Sequence, residues 1–72
     1  MPRIDMAATG ANIKRMRIAA KMTVRDIQNI FGFGSINTIY KWEKGSSMPT
    51  IDNMVVLAKI FNTTIDAIIA VK

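Results

Sequence analysis

Between Thr23 and Gly45 the chain reads TVRDIQNIFGFGSINTIYKWEKG, two pieces with apolar residues at helical spacing on either side of a Gly-Phe-Gly-Ser break. The first piece predicts a helix from Val24 to Phe31 behind Thr23 as N-cap, burying Ile27, Ile30 and Phe31. It stops at Gly32, because glycine takes the left-handed conformation of a helix stop at little cost. The second piece predicts a helix from Ile36 to Lys44, with Ser35 as candidate cap and Gly45 as terminator. Its inward side is Ile39 and Trp42. Asn37, Lys41 and Lys44 line the opposite side, with Thr38 and Tyr40 on the flanks, since positions i, i+4 and i+7 stack along one face. Two short helices across a tight turn, the second polar outside and anchored inside, have the layout of a helix-turn-helix. The major groove of DNA, about 12 Å wide, admits one helix whose exposed face is polar and whose other face is held rigidly.

Outward from this stretch, a helix is expected from Gly10 to Ala20 behind Thr9. Ile13, Met16 and Ala20 fall on one face, Lys14 and Lys21 on another, and Arg17 on the border. A fourth helix follows Pro49-Thr50 and runs to Phe61, with Met54, Leu57, Ala58 and Phe61 inward and Asn62 ending it. Thr64 caps a fifth through Ile65, Ile68 and Ile69. The β-branched residues keep a period near 3.6, so no strand is expected. The expected architecture is all-α: a compact bundle of five short helices around Ile13, Met16, Ile27, Phe31, Ile39, Trp42, Met54, Leu57, Phe61, Ile65 and Ile68. Residues 1–8 are expected to form a flexible arm, carrying Arg3, and residues 9–72 a single domain. Seventy-two residues leave no room for a second.

Composition removes whole classes of function. With no cysteine and no histidine, a disulfide framework, a thiolate zinc site and the usual general base are all absent. The carboxylates Asp5, Asp26, Glu43, Asp52 and Asp66 are scattered along the chain, with no pair inside two helical turns. Catalytic residues, a metal site, a cofactor and a small-molecule ligand are therefore not expected, and neither is enzyme activity. Ten Lys and Arg against five acids give a net charge of +5, which favours polyanions, nucleic acid ahead of an acidic membrane surface. No signal-peptide pattern opens the sequence and no apolar run approaches the roughly 18 residues of a spanning helix. The expected location is the cytoplasm, without a membrane partner, and the first Met and last Lys72 permit a complete small protein.

Several separate features then fall together: Arg17 in the first helix, Trp42-Glu43-Lys44-Gly45 ending the third, Pro49-Thr50-Ile51-Asp52 opening the fourth and Asn62-Thr63-Thr64-Ile65-Asp66 opening the fifth. On these residues the chain, over about Ile13 to Ile69, resembles the Cro/repressor-type (Xre-like) helix-turn-helix family. The resemblance implies a five-helix, lambda-repressor-like domain that binds double-stranded DNA, commonly as a homodimer and commonly as a repressor. It also implies a bacterial or phage-encoded, nucleoid-associated protein.

Carried over by position, Asn37 and Lys41 stand where such proteins read base edges, with Ile36, Thr38 and Tyr40 beside them. Asn suits adenine and Lys suits the guanine O6/N7 acceptors. Ile36 could pack on a thymine methyl. Backbone phosphates are expected to meet Thr23, Ser35, Lys44, Arg25 and Lys21. Arg17 and Glu43 correspond to a family ion pair bridging the first and third helices, and an inward-leaning carboxylate needs such a cation. The chain departs from the family pattern in three places. Val24 replaces a phosphate-binding Gln, Gln28 replaces a small residue between helices two and three, and the turn is one residue longer. Val56, Ile60 and the C-terminal isoleucines are expected to leave an apolar face outward, suited to a homodimer. The alternative reading is a protein-interaction module, an antitoxin or adaptor that uses the helix-turn-helix as scaffold through that same face. A non-specific nucleoid binder is a third.

Overall fold

The computed structural model describes residues 2–72 and contains five helices: α1 Met6–Ala19, α2 Val24–Phe31, α3 Asn37–Lys44, α4 Ile51–Ile60 and α5 Ile65–Ile68. Four of them begin at a side-chain cap. The Asp5 carboxylate accepts from the Ala8 N–H, Thr50 Oγ1 from Asn53 and Thr64 Oγ1 from Ala67. Thr23 and Asp26 exchange hydrogen bonds in a capping box, which satisfies two otherwise orphaned donors. Gly32 and Gly45 close α2 and α3 at φ of 72° and 78°. Asn62, at φ 54°, turns the chain out of α4.

The first helix differs from the sequence expectation. It starts at Met6 behind Asp5, not at Gly10 behind Thr9, and ends at Ala19. Thr9 is fully buried, and its hydroxyl accepts from the Ala70 N–H at 2.9 Å. The segment expected to be a flexible arm is tied down instead. Asp5 N–H donates to Ala70 and Lys72 N–H donates to Arg3, both at 2.8 Å, so Ile4 and Val71 face each other in an isolated antiparallel bridge. Asn12 adds a side-chain bond to the Ile68 carbonyl at 3.0 Å. Met1, within the expected arm, lies outside the described residues.

The core is Ile13, Val24, Ile27, Ile39, Trp42, Met54, Leu57, Ala58 and Ile68. Met16, Phe31, Phe61 and Ile65 pack on its margin. Ile30, expected inside, is 50% exposed, because it lies about 100° round α2 from Phe31 and off the buried stripe. Ala20 is also exposed, being the C-cap just past the end of α1. Val56 and Ile60, expected outward, are half-buried, and Ile60 packs against the core. The apolar residues that α4 leaves outside are Ile51 and Val55, one turn apart.

Two features hold α3 against α1. Gly10 faces the last turn of α3, where an added Cβ would collide with the Trp42 carbonyl oxygen and stand 2.7 Å from that of Glu43. Arg17 makes a forked ion pair with Glu43, Nε to Oε2 at 2.7 Å and Nη2 to Oε1 at 3.3 Å. Its Nη1 donates to the Met22 carbonyl at 2.9 Å, so one guanidinium joins α1, α3 and the α1–α2 link. The two side chains are 12% and 5% exposed, which places the pair where an unpartnered charge is expensive.

Two stability measurements follow from this packing. Gly10→Ala should lower stability by roughly 2 kcal/mol in a urea titration, because overpacking outweighs the roughly 1 kcal/mol that alanine otherwise gains in a helix. A more stable variant would show that the backbones yield. Arg17→Ala should lower it by about 3 kcal/mol, with Glu43 left buried and unpaired, and adding Glu43→Leu should recover part of the loss.

Candidate nucleic-acid interface

The third helix presents two faces of opposite character. Ile39 and Trp42 are buried and Glu43 leans inward to Arg17, while Asn37, Tyr40, Lys41 and Lys44 are exposed. At about 100° per residue, Asn37, Lys41 and Lys44 lie within about 60° of arc, with Tyr40 on one edge. Thr38 is half-buried on the other. Ile36 is half-buried and packs against the core, so little of it is open to a base.

The turn before α3 is organised by Gln28. Its main-chain carbonyl accepts from the Gly32 and Phe33 N–H groups at 2.9 and 3.1 Å, and its side-chain Nε2 donates to the Phe33 carbonyl at 3.1 Å. Gln28 Oε1 is buried without a hydrogen-bond partner. Phe33 stacks on Phe31 with centroids 5.1 Å apart, and Trp42 meets both rings edge-on at 5.6 and 5.7 Å. That cluster fixes how α2 and α3 meet. Trp42, 3% exposed, is an anchor and not a stacking platform for unpaired bases. α3 proper begins at Asn37, one residue later than expected, and the Ser35 hydroxyl accepts from the Asn37 N–H at 3.0 Å.

The flanking groups are arranged as follows. Thr23, Arg25, Ser35 and Lys21 are exposed, and the Thr23 and Ser35 hydroxyls, each accepting from a backbone amide, keep a proton to donate. Val24, where the family carries a phosphate-binding Gln, is buried in the core. The acids are occupied elsewhere. Asp5 and Asp26 cap helices, Glu43 pairs with Arg17, and Asp52 and Asp66 stand in the first turns of α4 and α5. No carboxylate therefore offsets Lys41 and Lys44 on the outer face, which leaves it positive and rich in donors.

Sequence reasoning missed Phe33 and the turn-locking role of Gln28. A signal for the first existed, since an aromatic between two glycines beside a buried Trp has few other places to go. Among the described residues there is no group of three acidic, Cys or His side chains that could hold a metal, and no helix is long and apolar enough to cross a membrane.

A family model described as a helix-turn-helix domain matches residues 10–72. Among solved structures, the crystal structure of the DNA-binding domain of BldD is similar in fold, with a TM-score of 0.75 at 14% identity, over 90% of this chain and 93% of that one. No curated protein matches the chain. With the family match running from Gly10 to Lys72 over all of α2 to α5 and most of α1, the chain belongs to the helix-turn-helix domain family, as its Cro/repressor-type (Xre-like) residues imply.

Proposed function

We propose that this protein binds double-stranded DNA sequence-specifically, seats α3 in the major groove, and regulates transcription as a repressor that occludes an operator. The observation that carries this reading is the outer face of α3, where Asn37, Tyr40, Lys41 and Lys44 stand exposed with no opposing acid on a helix held rigidly from behind. Asn37 and Lys41 read base edges; Thr38 and Tyr40 flank them, with Ile36 contributing only its open edge. Thr23, Ser35, Arg25, Lys21 and Lys44 meet phosphates, which position the domain without specifying sequence. The domain it resembles in fold is itself a DNA-binding domain. The protein acts from the cytoplasm as a homodimer on paired half-sites.

A second reading, an antitoxin-like or adaptor module, draws on the apolar pair Ile51 and Val55, 67% and 41% exposed and one turn apart on α4. The two readings diverge under substitution. Asn37→Ala and Lys41→Ala should each cost about 1–3 kcal/mol of discrimination at one base position, with the thermal melt unchanged. Selection from random duplexes at about 0.15 M salt should enrich an inverted repeat with half-sites roughly 34 Å apart. A folded sample that enriches nothing would overturn the proposal and favour the module.

A further inference from the structure

An open depression of about 450 Å³ lies between α1 and α3, lined by Lys14, Arg17, Tyr40, Glu43 and Lys44. Three of its side chains are cations and one is an anion. Arg17 and Glu43 neutralise each other in their forked pair, with every Arg17 nitrogen already donating. The uncompensated charge is that of Lys14 and Lys44, both exposed and neither with an acidic partner among the described residues. Tyr40, 42% exposed, brings a hydroxyl donor to the same hollow. A site with two ammonium groups and a phenol over a neutral floor suits a compact, singly charged oxyanion.

Its position identifies the source of that anion. Tyr40 and Lys44 are one turn apart and form the α3 wall, and they share the outward half of the helix with Asn37 and Lys41. An α-helix about 10–12 Å across nearly fills a groove about 12 Å wide, so the phosphate rows pass along its flanks. We propose that this cleft holds one phosphodiester of the strand bordering the α1 side of α3, between Lys14 and Lys44 with the Tyr40 hydroxyl donating. This inference rests on the DNA-binding reading and adds Lys14, a residue of a helix otherwise devoted to packing. The contact is sequence-independent and fixes the tilt of α3 in the groove.

The test is anisotropy titration of wild type and Lys14→Gln against an enriched duplex and a scrambled one across a salt series. The proposal expects Lys14→Gln to weaken both duplexes by the same factor, severalfold, and to reduce the slope of log K against log salt by about 0.9, the share of one neutralised phosphate. Lys14→Arg should restore the slope, and the melt should not move, since Lys14 is exposed. An unchanged slope, or a loss on only one of the two sequences, overturns the cleft as a phosphodiester site. A parallel arm replaces chloride with inorganic phosphate at constant ionic strength. Phosphate that raises the wild-type melting temperature but not that of Lys14→Gln, with duplex binding unaffected by the substitution, assigns the hollow to a free anion and also overturns the proposal. Failure of the wild type to bind any duplex is a separate result. It removes the DNA-binding reading and this inference with it.

Discussion

An eight-residue helix is too short to persist on its own, and α3 exists because its surroundings hold it. Isolated helices below roughly 12–15 residues are marginal in water, so a helix this short must be held from behind. Three anchors do this. Ile39 and Trp42 bury the inner face, Glu43 is fixed by Arg17, and Gly10 lets the α1 backbone come up to the carbonyls of the last α3 turn. The last two are linked. Gly10 and Arg17 are seven residues, about 10 Å, apart along α1, so close approach at one end brings the guanidinium within reach at the other. Gly45, at φ 78°, then ends α3 directly against Met6 and Ala7, where a side chain would have no room.

The turn is one residue longer than the pattern the chain resembles, and it closes without disturbing that geometry. Gln28 occupies the position where the family has a small residue, and it reaches across to the Phe33 carbonyl. A longer loop costs little in closure entropy, but its polar backbone must still be satisfied, and the Gln amide supplies the missing donor. Phe33 folds back on Phe31 and Trp42, so the added length contributes packing too. Behind this turn α3 keeps Ile39 and Trp42 inward and Glu43 at Arg17. The buried, unpartnered Gln28 Oε1 is the cost left over.

Local signals made most of the fold legible. Thr23 with Asp26, Thr50 and Thr64 mark helix starts, and Gly32, Gly45 and Asn62 mark stops, because capping is decided within four residues. The start of α1 is not decided locally: Thr9 satisfies the cap rule, yet the cap is Asp5, one turn earlier. The choice is made by residues more than sixty positions away, where Ala70 takes the Thr9 hydroxyl and pairs with Asp5. No periodicity reports that pairing. The outward face of α4 failed for a related reason. A helix touched by the rest of the domain over a broad arc buries Val56 and Ile60 and releases Ile51 and Val55, and the width of that arc belongs to the tertiary structure. On α3 the wheel sufficed, because a short helix anchored by Ile39 and Trp42 has one outside.

The charge of the molecule is effective because it is sorted. A net of +5 spread evenly would give only a diffuse attraction for polyanions, but here each acid is either capping or heading a helix, or is paired at Arg17. The cations divide in the same way. Arg17 has each guanidinium nitrogen engaged by Glu43 or the Met22 carbonyl and its charge offset by Glu43, whereas Lys14, Lys41 and Lys44 are uncommitted. Substitution at Arg17 therefore reaches the outer face through the placement of α3, leaving the number of free cations unchanged. Substitution at an exposed lysine removes a charge and leaves the placement intact. Stability and salt dependence thus report on different residues of one helix pair, and the ion pair beneath the cleft is the boundary between them.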